Sequence, residues 1–226
     1  NAAPRCHPRA SGSGEIVRIA RDTTLLLCAA VWLAACGHSA ARRANPALSE
    51  LHVTSGTLTR AADGTLQIRS SMRAESELKA DRVKLELAYL GAADTPQPLA
   101  SGEIRRQIGI KLRARDSCNV VYVMWQIEPR SAIEVSVKSN PGLHTHVECG
   151  DRGYQFIRPE LAVDVPAITL RVQRSLAARL QGRQLEVFVD RTLVWRGALP
   201  ASAFDFDGPA GLRADNGRFN LRFVAE

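Results

Sequence analysis

The stretch LAARLQGRQLEVFVD (residues 176–190), followed closely by LVWRG (193–197), decides the fold of this chain. Leu185, Val187 and Val189 share one parity, opposite to Glu186 and Asp190, and turn-forming residues stand at 181–183. A β-strand points successive side chains to opposite faces, so such a segment has one face for a core and one for water. The stretch therefore predicts consecutive antiparallel strands.

The same alternation recurs along the rest of the chain, punctuated by turn-forming residues at 62–64, 139–142 and 207–209. Val120–Ile127 is almost wholly apolar, which predicts a central strand that is covered on both faces. Many short strands separated by turns are typical of an antiparallel sandwich or barrel. The other alternating segments span residues 83–89, 104–112, 133–138, 168–173 and 219–223.

Residues 165–225 resemble the concanavalin A-like and laminin G-like jelly rolls. In those folds a strand, a turn of small residues, a strand ending in Asp and a further strand follow one another, as they do from Leu176 to Gly197. The segment 208–216 and the strand 219–223 resemble their terminal strand pair. The resemblance implies an all-β fold, an antiparallel two-sheet jelly-roll sandwich over residues 50–226. It specifies function poorly, because this fold carries enzymes, lectins and inert modules.

The amino-terminal segment has the composition of a secretory signal. Arg18 and Arg21 precede an apolar run over residues 24–35, which is shorter than the roughly 20 residues of a membrane-spanning helix. Leu33-Ala34-Ala35-Cys36 resembles the lipobox of bacterial lipoproteins, in which the cysteine is lipidated and becomes amino-terminal on cleavage. The resemblance implies a signal peptide over 1–35 and a lipidated Cys36 with a tether over 36–49. The alternative is an ordinary signal peptide with a chance cysteine.

The same segment also predicts the location of the protein in the cell. We expect residues 1–16 not to be translated, because residues 1–15 hold no coherent basic segment and a signal starting at Val17 reads directly into the apolar run. Buried acyl chains contribute about 0.8 kcal/mol per CH₂, so the implied lipid would hold the protein on the membrane. Gly37, not Asp, follows the cysteine, which in lipoproteins favours the outer membrane. The expected location is the bacterial cell envelope.

The net charge and its distribution restrict the classes of partner that we expect. Without residues 1–35 the chain keeps 26 Lys and Arg against 21 Asp and Glu, a net charge of +5. Because no basic run exceeds two residues, a nucleic-acid partner is not expected. Attraction to anionic glycans or phosphate-bearing lipid stays open beside the simpler interpretation of a soluble surface.

Cys118 and Cys149 form an even pair in a compartment that is oxidising, which predicts a disulfide. It would close a loop of about thirty residues and stabilise the fold by roughly 3–4 kcal/mol. The alternative is two buried free thiols.

Sugars are held by aromatic faces together with planar hydrogen-bonding side chains, and such residues surround the apolar strand and the segment after Cys149. Trp125 shares its parity with Val121 and Val123, which favours the core for it instead. The candidate binding residues, should one sheet face be open, are Tyr122, Trp125, Lys138, Asn140, Arg152 and Tyr154.

Two metal hypotheses carry less support. His144, His146 and Glu148 would share one face of a strand and suit Zn²⁺, although the polar face of a strand beside Cys149 explains them without a metal. Turn carboxylates suit calcium, although turns favour Asp and Asn for conformational reasons alone. The calcium candidates are Asp190, Asp205, Asp207, Asp215 and Asn216.

No catalytic signature stands out. Glycosidases of this fold carry Glu, Asp and Glu at alternate positions of one strand, and the nearest acids, Glu128 and Glu134, are separated by Pro129-Arg130. The sequence therefore favours a lipid-anchored, non-catalytic lectin-like module that binds carbohydrate and needs no cofactor. The alternatives are a structural or protein-interaction lipoprotein of the envelope and, less favoured, a polysaccharide-degrading enzyme.

Overall fold

The computed structural model describes residues 51–99 and 101–226, which form two antiparallel β-sheets packed face to face. These residues hold fifteen strands and two short helices. The strands are β1 (Leu51–Ser55), β2 (Leu58–Arg60), β3 (Leu66–Ile68), β4 (Met72–Ser76), β5 (Arg82–Ala92), β6 (Arg106–Leu112), β7 (Val120–Glu128), β8 (Ala132–Lys138), β9 (Tyr154–Phe156), β10 (Leu161–Ala162), β11 (Gln173–Gln181), β12 (Gln184–Val189), β13 (Thr192–Ala198), β14 (Gly211–Asp215) and β15 (Gly217–Ala225). The helices are α1 (His146–Cys149) and a 3₁₀ helix (Ala201–Phe204).

The strand order confirms the predicted two-sheet sandwich. The seven-stranded sheet runs β1-β4-β14-β6-β7-β8-β9, and the eight-stranded sheet runs β10-β13-β12-β11-β5-β15-β3-β2. The stretch that decided the fold forms β11, β12 and β13, which pair in sequence order. Consecutive pairing is the expected result of short turns between alternating segments.

The core lies between the sheets and takes one parity of each strand. Leu85 and Leu87 of β5 face Ile108 and Ile110 of β6 across it, and all four are fully buried. Burying such a side chain stabilises the fold by about 1.5–3 kcal/mol, so the alternation read from the sequence is also the main source of stability.

The apolar strand is central, as predicted. β7 lies between β6 and β8, and residues 120–125 are buried on both faces. Cys118 and Cys149 form the predicted disulfide, with their Cα atoms 5.9 Å apart. The bond joins the residues just before β7 to the end of α1.

Two local predictions are wrong. Residues 168–172 form no strand beyond an isolated bridge between Leu170 and Tyr89, and Leu170 and Val172 are largely exposed. Ile104 precedes β6 and is 61% exposed, although its parity matches the core positions of that strand. In both places the alternation extends past the point where a partner strand is present, so Ile104, Leu170 and Val172 are exposed, although Ile168 still packs in the core.

The predicted signal peptide (1–35, with 1–16 untranslated), the lipidated Cys36 and the tether (36–49) lie outside the described residues. In the part of the chain that is described, neither helix is long and apolar enough to cross a membrane.

Candidate functional site

The face of the seven-stranded sheet that points away from the core is the candidate site, and we call it the outer face of that sheet. In β14, Leu212 and Ala214 point into the core, so strand alternation turns Arg213 and Asp215 outward. The same rule turns Tyr122 of β7 outward between Val121 and Val123. The face carries polar and aromatic side chains where the inner face carries aliphatic ones.

Strand register arranges these side chains in two adjacent rows that cross the sheet. The pairing places Arg73 beside Arg213, and Lys111 beside Tyr122. One row contains Glu75, Gly211, Lys111, Tyr122, Ser136 and Phe156. The other contains Arg73, Arg213, Gly109, Met124 and Glu134.

Glycines occupy the middle of both rows. A Cβ on Gly109 would lie 2.2 Å from the Val123 carbonyl oxygen and 2.6 Å from Met124 Sδ, so no other residue fits there. Because Gly109 has no side chain, the long side chains of its neighbours can cross the strand. The Arg213 guanidinium lies 5.0 Å from the centre of the Tyr122 ring, two strands away.

Asp215 organises the charges of the outer face. Its Oδ2 accepts hydrogen bonds from Arg213 Nε at 2.8 Å and from Gln107 Nε2 at 2.7 Å, and its Oδ1 lies 3.5 Å from an Arg73 terminal nitrogen. The Asp215 side chain is 2% exposed and that of Arg213 is 9% exposed. Burial opposes the charged form of Arg213, but the Asp215 carboxylate outweighs it and raises the pKa of Arg213 above its usual range. The guanidinium therefore stays charged.

A second ion pair lies in the neighbouring row. Lys111 Nζ is in contact with Glu75 Oε1, and the lysine side chain is 4% exposed. Burial lowers the pKa of Lys111, and the Glu75 carboxylate offsets part of that shift. Glu75 and Asp215, the carboxylates next to these cations, are thus both held in ion pairs.

Three aromatic rings line the β7–β9 side of the face. Tyr122 and Tyr154 are stacked with ring centres 6.2 Å apart and planes inclined by 21°. Phe156 follows Tyr154 on the same face of the edge strand β9 and is 60% exposed. Burial, and then Tyr154, raise the pKa of Tyr122 to about 12, so its phenol is neutral at physiological pH. No described residue is a hydrogen-bond partner of that hydroxyl.

Gln107 has an unused acceptor on this face. Its residue is 2% exposed, its Nε2 donates to Asp215, and its Oε1 has no partner among the described residues. Such a buried, unpaired acceptor costs free energy until a donor reaches it. Gln107 therefore points to a ligand hydroxyl or a water.

Loops flank the two rows on both sides, at the two ends of the strands. At the β14 turn, the Asn216 side chain binds the backbone of Gln97 and of Arg105, and Arg105 pairs with Glu134 on the outer face. At the opposite end lies the segment between β8 and β9, residues 139–153, which contains Cys149 and which we call the disulfide loop; Lys138 attaches it to the sheet. The outer face is thereby bounded along the direction of the strands.

Three predicted binding residues hold that disulfide loop instead. Lys138 is 1% exposed, and its Nζ donates to the carbonyls of Ser117 (3.1 Å) and Gly150 (2.6 Å). Asn140 Nδ2 donates to the carbonyls of Cys118 and Arg152. Arg152 donates to carbonyls of α1, those of Glu148 and Cys149. Their donors are occupied by backbone, which the sequence could not show.

Trp125 lies in the core, as its parity indicated, and is not available to a surface ligand. It is fully buried, and its Nε1 donates to Ser131 Oγ at 2.9 Å. Of the six predicted binding residues, Tyr122 and Tyr154 are thus the two whose side chains lie on the outer face without a structural hydrogen bond.

The structure does not place the predicted zinc ligands together on one face of a strand. Residues 146–149 form α1, not a strand, because Glu148 Oε2 accepts from the backbone nitrogens of His144 and Thr145 and from Thr145 Oγ1, at 2.7–3.0 Å. His144 Nδ1 contacts Asp116 instead of turning toward Glu148. Residues 51–99 and 101–226 contain no group of three His, Cys, Asp or Glu placed to hold a metal ion.

The turn acids proposed for calcium each have a different role. Asp190 pairs with Arg174, Asp207 with Lys79, and Asp215 with Arg213. The Asn216 side chain holds Gln97, and the structure gives Asp205 no ion-pair partner among the described residues.

Two depressions lie elsewhere on the described surface, and we give them less weight. A shallow one of about 720 Å³ covers the outer face of the eight-stranded sheet around Lys84, Glu86 and Asn220, whose Oδ1 is unpartnered. A smaller one of about 180 Å³ lies around Lys79, Arg113 and Asp207. Neither includes an aromatic side chain, which a sugar site usually needs.

Sequence reasoning missed most of the charged members of the site. The missed residues occupy strand positions that point away from the core, where the sequence does not distinguish a buried polar side chain from a solvated one. They are Arg73, Glu75, Gln107, Lys111 and Arg213. Asp215 was noted only as a turn acid. A usable signal was glycine within the sheet, Gly109 at the centre of β6 and Gly211 at the start of β14, which marks places where backbone or a ligand approaches closely.

Comparison with solved structures identifies the fold. The chain is similar to the carbohydrate-binding module CBM66 from Bacillus subtilis, with 11% identity and a TM-score of 0.54 over 78% of this chain and 96% of the module. A structure from work on human gut microbiota that express endo-acting O-glycanases to initiate mucin breakdown has 11% identity and a TM-score of 0.50, covering 82% and 96%.

The GH43 BlXynB protein from Bacillus licheniformis has 10% identity and a TM-score of 0.50 over 81% of this chain and 38% of that protein. No family model matches the sequence. No curated protein matches it either. At these identities the likeness shows the fold alone, which is a concanavalin A-like β-sandwich.

Proposed function

We propose that this chain is a non-catalytic carbohydrate-binding module, and that the outer face of the seven-stranded sheet is its binding surface. The observation that carries the proposal is the combination on one face of stacked and exposed aromatic rings with a buried acceptor, Gln107 Oε1, that has no partner among the described residues. A fold shared with a carbohydrate-binding module supports it, and function still has to be argued from the site.

The chemistry suits a saccharide. A sugar ring has apolar C–H faces that pack on aromatic rings and a rim of hydroxyls that both donate and accept hydrogen bonds. Phe156 offers an exposed ring, while Gln107 Oε1 offers an acceptor without a partner in residues 51–99 and 101–226. Specific sites combine such a mostly apolar surface with a few well-placed polar groups.

The exposed ring gives the sharpest test of this function. Phe156→Ala is expected to weaken oligosaccharide binding at least tenfold on a glycan array and in calorimetry, because stacking area is lost without disturbing the core. Leu170→Ala, which removes a comparably exposed apolar side chain elsewhere, is the matched control and should bind as the parent does. Equal binding by both variants, or no saccharide bound by the parent, would refute the proposal.

The anchoring is a second part of the proposal. It places a lipidated Cys36 in the bacterial outer membrane and leaves fourteen residues, 37–50, before β1. Fourteen residues reach at most about 50 Å, which keeps the module close to the bilayer surface. Mass spectrometry of the native amino-terminal peptide tests it: a triacylated Cys36 is expected, and an unmodified, uncleaved amino end would contradict it.

A second candidate function is contact with another envelope protein. It is favoured by exposed apolar side chains on and after the edge strand β10: Leu161, Val163, Leu170 and Val172, between 39% and 57% exposed. Cross-linking in cells, followed by Val163→Asp as the disrupting variant, would distinguish it from saccharide binding. Release of reducing ends or unsaturated sugars from envelope polysaccharides would replace both candidates with an enzyme.

A further inference from the structure

Two arginines lie directly opposite one another on the outer face of the seven-stranded sheet. Arg73 of β4 and Arg213 of β14 are register partners, and both contact the single carboxylate of Asp215. Like charges directly opposite each other across a strand pair are destabilising. A fold that keeps this arrangement retains a cost that a ligand would relieve.

The charged side chains on the β4, β14 and β6 part of the outer face do not cancel in charge. Lys111 is matched by Glu75, whereas Arg73 and Arg213 share one carboxylate, which leaves an excess of one positive charge. The side chain of Arg213 is 9% exposed and that of Arg73 is 33% exposed, so water reaches Arg73 but solvates the Arg213 charge poorly. A poorly solvated charge without a full partner favours binding of an opposite charge.

Both guanidinium groups have donors to spare. Arg213 uses only Nε, and its two terminal nitrogens have no acceptor among the described residues. Arg73 has one long contact, at 3.5 Å, and its other two nitrogens are likewise without an acceptor there. A guanidinium presents its N–H groups as a planar fork, which matches the two oxygens of a carboxylate.

A lone inorganic anion would satisfy the arginines but not their neighbour. Gln107 binds the same Asp215 and has a buried, unpartnered Oε1 that needs a hydrogen-bond donor. A ligand that satisfies both carries an anionic group and a hydroxyl within one small unit. An aromatic surface, Tyr122, lies beside the Arg213 guanidinium at 5.0 Å.

We propose that Arg73 and Arg213 bind the carboxylate of a uronic acid residue within an acidic oligosaccharide, while Gln107 Oε1 accepts a hydrogen bond from a hydroxyl of that oligosaccharide. The inference rests on the proposed carbohydrate binding and adds the class of sugar and the residues that select it. The planar fork of each guanidinium matches the two oxygens of the carboxylate, and sulfated oligosaccharides in the test distinguish this group from a sulfate ester.

The test uses the full chain in detergent and matched pairs of ligands. Oligosaccharides of glucuronic, mannuronic and galacturonic acid are compared by calorimetry with their carboxyl-reduced, neutral counterparts, with sulfated oligosaccharides as a third arm. The variants are Arg73→Ala, Arg213→Lys and, as a control on the eight-stranded sheet, Arg196→Ala, whose side chain is 41% exposed. Denaturation curves establish that each variant is folded.

We expect the parent to bind a uronate oligosaccharide at least tenfold more tightly than its reduced counterpart. Arg73→Ala and Arg213→Lys should abolish that preference, because the first removes a charge and the second keeps the charge but loses the planar fork. Arg196→Ala should retain it. If Arg213→Lys does not fold, Arg73→Ala decides, since it breaks a single long contact.

The ways to fail are separable. Equal binding of uronate and neutral oligosaccharides, with no effect of Arg73→Ala, would overturn the uronate assignment and leave the proposed function standing. Binding confined to sulfated oligosaccharides would overturn the assignment to a carboxylate. Absence of binding to every arm would overturn the proposed function and this inference with it.

Discussion

The two outer faces of the sandwich carry similar residues and use them differently. On the eight-stranded sheet, Glu186 pairs with Arg179 and Arg196, whose side chains are 39% and 41% exposed, and Lys84 pairs with Glu86 at a similar exposure. On the seven-stranded sheet, Asp215, Arg213 and Lys111 are each less than 10% exposed. Exposed ion pairs are worth about 0–1 kcal/mol, whereas breaking a buried pair costs about 3–5 kcal/mol.

The two faces therefore differ in whether their polar groups are solvated or are buried at a cost in free energy. A solvated pair needs no explanation beyond solubility. Buried charges next to the unpartnered Gln107 Oε1 and an exposed Phe156 do need one, and ligand binding supplies it. The predictions below test whether the two faces differ as much as their burial indicates.

The largest effect is expected from Asp215→Asn compared with Glu186→Gln. Both changes remove one carboxylate charge with little change in shape, and each carboxylate contacts two arginines. Asp215→Asn should lower the free energy of unfolding by about 3–5 kcal/mol because it leaves the Arg213 guanidinium, whose side chain is only 9% exposed, without a carboxylate partner. Glu186→Gln should change it by less than about 1 kcal/mol. Urea denaturation measures both, and similar losses would remove the contrast between the faces.

A smaller effect separates two lysines, Lys138 and Lys84. Lys138→Met removes the donor to the carbonyls of Ser117 and Gly150, and each buried acceptor left unsatisfied costs about 1–3 kcal/mol, so a loss of about 2–4 kcal/mol is expected. Lys84→Met, at an exposed pair, should change stability by less than about 0.5 kcal/mol.

Limited proteolysis sharpens the lysine comparison. Cleavage within residues 140–153 should accelerate in Lys138→Met, because that side chain attaches the disulfide loop to the sheet, and should be unchanged in Lys84→Met. An unchanged cleavage rate in both would mean that the disulfide alone holds the loop.

The smallest effect concerns pH and the end of the same loop. Backbone hydrogen bonds from Thr145 and His144 lower the pKa of Glu148 from 4.5 to about 2. Because the folded-state pKa is depressed, this carboxylate stabilises α1 above about pH 4.5, and the contribution is lost as the pH falls toward 2. Carbon-13 NMR titration should give a midpoint near 2 for Glu148, and a midpoint near 4.5 would show that the cap is not formed. Glu148→Gln should remove this pH dependence.

The fold could be predicted because alternation reports which side of a strand is dry. The hairpins from Leu176 to Gly197, the central strand β7 and the disulfide followed from local pattern and compartment. The segment 168–172 shows the limit: it alternates, but no partner strand lies beside it for its length. Alternation indicates which side chains share one face of a strand, whereas strand pairing depends on residues far away in the sequence.

The site was predictable in part, for a related reason. Tyr122 and Tyr154 were predicted from their chemistry and lie on the candidate face, whereas Lys138 was included in the predicted binding set although its amine donates to backbone carbonyls. Arg213 was missed because nothing in a single strand distinguishes a buried wet-parity arginine from a solvated one. Its environment comes from Arg73, Gln107 and Tyr122, three other strands brought together by the sheet order.

The central claim is that saccharide binds on the outer face of the seven-stranded sheet. Backbone chemical-shift mapping by NMR, with the oligosaccharide that binds most tightly, tests it directly. The account predicts that perturbed amides cluster in β4, β6, β7, β9 and β14, around Arg213, Gln107 and Phe156. Perturbations that cluster instead on β5, β11 and β15 of the eight-stranded sheet, or along the edge at β10, would contradict it.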